Sequence, residues 1–386
     1  MSGGLKPELA RLIAAQICVH ACMAGTRLAA PLLALKQGYS EAAVGVLLAL
    51  FALTQVFLAL PSGRYADRHG LKRPIGLAVI AATLGAGLAV AFPIFPVLCV
   101  AALLTGGATG TASIALQRHV GRAASSPTEL KQVFSWLAIG PAVSNFVGPF
   151  AAGLMIDNAG FRGAFLLMAL LPMFAWYWVR TAQELPPVIR AEGEQHGPTW
   201  NLLREPMFRR LLLINWLLSS CWDVHTFVVP VLGHERGISA SVIGTILGCF
   251  AIAAALVRVA IPLLASQVKE SQMLMWAMAA TALVFGIYPF MHASLFMGLC
   301  SVALGIALGS VQPMIMSTLH QITPESRHGE AVALRIMLIN ASSVGMPMLF
   351  GAAGAVIGIS GVFWVVGAAV GAGTHLTRGL KSGRTS

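Results

Sequence analysis

Charge is scarce in this chain. Only 10% of its 386 residues are Asp, Glu, Lys or Arg, and 57% are hydrophobic, whereas a soluble domain carries about 25% charged residues. That excludes a water-soluble globular or disordered protein. Carboxylates are scarcer still, 14 against 25 Lys and Arg, for a formal net charge of +11. There is no H-E-x-x-H, no G-x-S-x-G, no Gly-rich phosphate loop and no pair of carboxylates inside an apolar run. The converging groups of a membrane enzyme or an ATP motor are therefore missing, and neither catalysis nor a cofactor is expected. The six cysteines all lie within apolar runs, so free thiols are expected. Cys18 and Cys22 share a helix face with His20 between them, but cysteine is also a small apolar packer, and no metal is expected.

What the sequence has in abundance is apolar length. Twelve apolar runs follow one another, among them 12–35, 42–60, 75–92, 133–156, 331–357 and 361–377. Each is far longer than a transmembrane strand needs, so the fold class is all-α integral membrane with twelve transmembrane helices. The first run is followed within about six residues by a second and exceeds the roughly 7–15-residue core of a signal peptide, so it is expected to stay on.

Lys and Arg set the orientation. With a cytoplasmic N-terminus, only Lys36, Arg162 and Arg236 fall outside, Arg27, Arg258 and Arg335 fall within helices, and every other Lys and Arg lies inside. Both termini are then expected on the cytoplasmic side. The positive charge is accounted for by topology and by anionic lipid, with no nucleic-acid partner.

A shift of about 199 residues superposes punctuating positions: Pro31 on Pro230, Gly106 on Gly305, Gly110 on Gly309, Pro149 on Pro347 and Gly153 on Gly351. The chain divides into a six-helix half over 1–179, a polar cytoplasmic linker over 180–206 and a second six-helix half over 207–386.

Between the second and third runs stands GRYADRHGLKR. With six-plus-six helices and a central linker, it resembles the major facilitator superfamily, whose signature here reads G-x-L-A-D-R-x-G-R-K. Gly63, Ala66, Asp67, Arg68, Gly70 and Lys72 match; Tyr65 replaces Leu, and Leu71 with Arg73 displaces a basic residue by two. Glycines at 63 and 70 permit a tight reversal and a close helix approach, and Asp67 is placed to accept hydrogen bonds from a helix N-terminus. The resemblance implies a conformational latch formed by Gly63, Asp67, Arg68, Gly70 and Lys72.

The fifth run, SWLAIGPAVSNFVGPFAAGLMID, resembles the family's antiporter motif, with Ser135, Ser144, Gly148, Pro149, Ala152 and Gly153 at its six small or kinking positions. Ser144, Gly148, Pro149 and Gly153 are expected to pack this helix closely against helix 8, with a kink at Pro149. The Arg that proton-coupled drug exporters of the family carry in helix 4 is missing, since CVAALLTGGATGTA has only Ala and Leu there.

Ionisable groups inside the membrane are functional candidates because each is costly unless it faces a cavity or a partner. Arg27 in helix 1 and Asp223 in helix 7 lie one turn apart in the repeat register, and Asp223 is the one carboxylate well inside a run. Arg258 is either part of a site or reaches for the surface, and Arg335 is expected to do the latter. His225, Gln55, Asn145, Gln312 and Asn340 lie at compatible depth, although interhelical hydrogen bonds account for many such residues. The expected function is secondary transport of a small molecule by a monomer working through alternating access. Two versions remain open: proton-coupled efflux of an amphipathic organic compound through Asp223, and transport of an organic anion held by buried arginines.

Overall fold

A computed structural model describes residues 5–39, 41–185, 199–238 and 240–380. Of the linker read over 180–206, residues 186–198 lie outside the described residues. The chain forms α1 (Leu5–Lys36), α2 (Glu41–His69), α3 (Lys72–Ala91), α4 (Phe95–Ala123), α5 (Pro127–Leu137), α6 (Ile139–Arg180), α7 (Pro206–Glu235), α8 (Ala240–Leu264), α9 (Glu270–Ile287), α10 (Ser294–Gly309), α11 (Val311–Ile322) and α12 (His328–Gly373).

These elements are not the twelve spans one for one. Gly160 (φ 69°) breaks α6 and Gly358 (φ 75°) breaks α12, each splitting a long helix into two rods. Conversely, α5 runs into α6 and α10 into α11, so each of these pairs contributes a single span. The result is twelve rods among the described residues. Nine segments among the described residues are long and apolar enough to cross a membrane, the one over Pro127–Arg180 containing two rods.

The chain packs as two units. One comprises Met1–Ala124, Ile139–Thr199 and Pro324–Asn340; the other comprises Ser125–Ala138, Trp200–Thr323 and Ala341–Ser386. Each unit thus takes in a short piece from the other half of the sequence, and the chain changes unit within two spans, at Ala138–Ile139 and Asn340–Ala341.

In lipid, helices gain little from burying apolar surface against one another, so small residues that admit close backbone approach must hold them. The first unit's core is accordingly rich in alanine: Ala29, Ala30, Ala34, Ala89, Ala101, Ala102 and Ala164 surround Leu33, Leu47, Phe51 and Phe165. The repeat is visible in this packing. A Cβ on Gly106 of α4 would collide with the carbonyl of Phe51 in α2, and a Cβ on Gly305 of α10 would collide with that of Phe250 in α8. One turn on, Gly110 lies against Gln55 and Gly309 against Ala254. Positive φ recurs at Gly38 and Gly237, and at Gly160 and Gly358.

Two expectations need correcting. The basic stretch after residue 60 is not a loop: α2 continues to His69, and the reversal is confined to Gly70 and Leu71. Apolar character marks where a helix meets lipid, while the helix itself continues through GRYADRH, which has no breaker after Gly63. Likewise the backbone stays helical through Pro149, and the interruptions lie at Ala138 and Gly160.

Candidate functional site

At the α2–α3 end of the first unit, Asp67 is the centre of a buried polar cluster. Arg118 of α4 donates from Nε to Asp67 Oδ1 at 2.5 Å, and both side chains are 3% exposed. The amide of Gly329 donates to Oδ1 at 2.9 Å and that of Glu330 to Oδ2 at 3.1 Å. Asp67 therefore sits at the N-terminus of α12, where unpaired amides and the helix dipole favour an anion.

The two glycines of the signature do different work. A Cβ on Gly63 would overlap the Gly329 carbonyl and approach Ala333 Cβ to 2.7 Å, so Gly63 permits α2 and α12 to touch. Gly70, at φ 75°, makes the turn. Glu184, from the start of the linker, then accepts from the amides of Leu71 and Lys72 at 3.1 and 3.2 Å. Lys72 thus enters through its backbone, and Arg68 is exposed.

Around this core, Arg64 bonds Thr199 Oγ1 at 2.7 Å and Glu330 at 3.3 Å, Arg327 bonds Glu330 at 2.7 Å, and Arg122 bonds Glu325 at 2.6 Å. Sequence reasoning misses Arg118, Arg122 and Glu330, because charges near helix ends look like topology signals. The signal for Arg118 was its place three turns after Gly107, on the helix that packs against α2.

The second unit holds a counterpart with less charge. Glu270 at the start of α9 accepts from Ser317 at 3.0 Å and Gln321 at 2.9 Å, and lies 3.8 Å from Lys131 of α5. Lys131 also donates to Val268 O at 2.6 Å. In the repeat register Ser317 and Gln321 are the partners of Arg118 and Arg122, and Lys131 is the partner of Glu330.

The fifth-span motif divides between two neighbours. Ser135 donates to the Arg258 carbonyl of α8. Ser144 bonds Gly140 O and Ile17 O, and a Cβ on Gly148 would meet Ala21 O at 2.6 Å, so within the first unit this part packs on α1. A Cβ on Gly153 would meet nothing within 4 Å. The close packing therefore belongs to Gly148, not to both glycines.

The membrane-depth candidates are scattered over both units. In the first, Arg27 and Asn145 are exposed, Gln55 is half-buried with its amide turned to Phe51 O at 3.4 Å, and Asn340 bonds Ile336 O at 2.9 Å. In the second, Gln312 is half-buried. Asp223 is bonded by Ser343, while its Oδ2 is buried with no hydrogen-bond partner among the described residues. His225 is fully buried, stacked on Phe250 at 4.0 Å and joined through Nε2 to Ser301 at 2.9 Å, which in turn meets Tyr288 at 2.9 Å. Arg258 is 8% exposed and bonds Ala138 O at 3.0 Å. Arg335, expected to reach the surface, is buried at 6% exposure and is not without a partner. All six cysteines are free thiols.

With this geometry in place, similarity to known proteins gives the same picture. The multidrug resistance protein MdtG of Yersinia enterocolitica is 23% identical over 338 residues, covering 83% of this chain and 80% of that protein. The class C tetracycline resistance protein of Escherichia coli is 25% identical over 339 residues, covering 84% of each. A bacterial homologue of the iron transporter ferroportin, solved in an outward-facing state, superposes with a TM-score of 0.77 at 18% identity, covering 97% of this chain and 99% of that one. The sequence model of the Major Facilitator Superfamily matches residues 12–294 and 211–379. Twelve rods in a six-plus-six repeat, with a signature aspartate at a helix N-terminus, are accompanied by a family match along nearly the whole chain: this multi-pass membrane transporter belongs to the major facilitator superfamily.

Proposed function

We propose that this protein exports a small amphipathic organic compound in exchange for protons, as a monomer in a bacterial inner membrane with both termini cytoplasmic. The observation that carries the reading is Asp223, a carboxylate at membrane depth with one buried oxygen unpartnered among the described residues. A carboxylate so placed needs a cation, water or a proton. The two named resistance proteins support export of drug-like compounds.

In this reading Asp223 takes up a proton in one state of the cycle and releases it in another, which couples export to the pH gradient without an arginine in the fourth span, and Arg27 contributes a charge at membrane depth in its own unit. Asn145, Gln55, Gln312 and Asn340 serve as polar contacts to substrate. Organic-anion transport is the weaker alternative, because the Arg258 guanidinium is already engaged by protein carbonyls and only Arg27 is left exposed.

The test is uptake of tetracycline and of a cationic dye panel into proteoliposomes under an imposed pH gradient. Asp223→Asn is expected to abolish the dependence on the gradient while retaining counterflow of labelled for unlabelled compound. Gradient-driven uptake that survives in Asp223→Asn would overturn the coupling.

A further inference from the structure

The repeat identifies a place where the two halves of the sequence differ. Arg258 has Ala59 at the equivalent position, Pro141 has Asn340 and Pro313 has Ile114. The three departures bear on the ends of α5 and α10.

Pro141 cannot donate to the carbonyl of Leu137, four residues back, and its ring crowds that carbonyl. The helix accordingly stops at Leu137, with Ala138 as its cap, and resumes at Ile139. Pro313 stands in the same relation to Gly309, where α10 stops before α11 begins. Inside the membrane, where water cannot replace a lost amide, the two prolines leave the carbonyls of Leu137 and Gly309 without their helical donors. Arg258 reaches both breaks: Nη1 donates to the carbonyl of Ala138, the residue next to Leu137, at 3.0 Å, and Nε lies 3.5 Å from the Gly309 carbonyl itself, the longer of the two contacts. Its own carbonyl accepts from Ser135 of α5, and its guanidinium lies 5.7 Å from the ring centroid of Trp222. A cation at two helix C-termini complements both dipoles, and only the planar fork of arginine spans two acceptors in this way.

The break at Ala138–Ile139 is also where the chain passes from one compact unit to the other. We propose that Arg258 is a positioning residue that fastens the ends of α5 and α10 within the second unit, so that the movement of alternating access is taken up at the Ala138–Ile139 break. This rests on the alternating-access part of the function proposed above, and on neither its substrate nor its ion. Arg258 thereby leaves the set of substrate ligands and becomes the fastening of a hinge.

Two measurements on the full chain in lipid nanodiscs test this without any substrate, so that a wrong substrate or ion leaves the test intact. The first is the thermal unfolding midpoint, followed with a thiol-reactive fluorophore on the buried Cys22, Cys221 and Cys300. Arg258→Met is expected to lower the midpoint, and to lower it by less in a Pro313→Ala background, where the restored amide satisfies the Gly309 carbonyl that Arg258 otherwise serves. The second is the distance distribution between spin labels at Q37C and E235C, both exposed positions, with the partly exposed Cys18, Cys99 and Cys249 changed to alanine. Arg258→Met is expected to broaden it and Pro141→Ala to narrow it. If Arg258→Met does not fold, Arg258→Lys, which keeps the charge without the fork, takes its place in both measurements. An equal loss of midpoint with and without Pro313, or an unchanged distance distribution, overturns the proposal.

Discussion

Asp67→Asn is the most incisive single change available in the buried cluster. The carboxylate accepts from Arg118 and from the Gly329 amide on Oδ1, and from the Glu330 amide on Oδ2. An amide in its place keeps one acceptor, turns the other into a donor facing a donor, and leaves Arg118 as a buried cation without its counter-ion. Hydrogen bonds to a charged group are each worth about 1.5–3 kcal/mol, and breaking a buried pair from one side costs about 3–5 kcal/mol. At 3% exposure for both side chains there is little solvent screening to discount. The cost falls on the state in which the first turn of α12 is docked on α2, so about 3–5 kcal/mol displaces that equilibrium by roughly 10² to more than 10³-fold. Transport in proteoliposomes is expected to fall to near background while folded protein is still recovered. The double change Asp67→Leu with Arg118→Met removes both charges, and is expected to recover stability without recovering transport, because the docking contact to α12 is still missing. Wild-type transport by Asp67→Asn would refute the latch, and recovery of transport by the double change would show that only stability was at stake.

Three further outcomes follow from the same geometry. Gly148→Leu forces side-chain atoms into the Ala21 carbonyl and is expected to cost upwards of about 1–3 kcal/mol, whereas Gly153→Leu meets open space; thermal unfolding of the two variants should differ, and equal midpoints would refute the α1 contact. Lys131→Met removes the cation beside Glu270 but leaves Ser317 and Gln321 in place, so its cost is expected to be smaller than that of Asp67→Asn, which parallel unfolding curves would check. Glu184→Ala uncaps α3 and is expected to cost about 0.5–2 kcal/mol, with faster amide exchange at Leu71 and Lys72 as its local readout.

Much of the fold could be read from the sequence because the bilayer enforces a simple rule: long apolar runs become helices. Residues that answer to tertiary partners were harder to find. GRYADRH was read as a connection since its charges end the apolar run, yet helix propagation does not depend on apolarity and nothing in it breaks a helix. Asp67 was found, because a carboxylate among so many cations stands out; its partner Arg118 was not, because one more arginine at a helix end looks like a topology signal. The α1 neighbour of Gly148 stays hidden in the sequence for a related reason. Small residues announce that something comes close, and only the packing says which helix it is.

The repeat separates what the fold needs from what this chain has added to it. Where the halves agree, the shared residue is a glycine that admits a backbone, as at 106 and 305, or one that takes a positive φ, as at 160 and 358. These positions serve packing, and packing is required equally in both halves. Where the halves disagree, the difference is one of charge or of helix continuity. Asp67 with Arg118 is a buried ion pair in direct contact at 2.5 Å, while Glu270 is bonded by the neutral Ser317 and Gln321 and has its cation, Lys131, only at 3.8 Å. Two holds built alike but unequal in strength do not release together. A transporter with two equal holds would have no preferred order of opening, whereas unequal ones make the weaker part first and let one state lead into the next. The asymmetry of charge laid over a symmetric backbone is therefore the feature from which a direction of conformational change can arise.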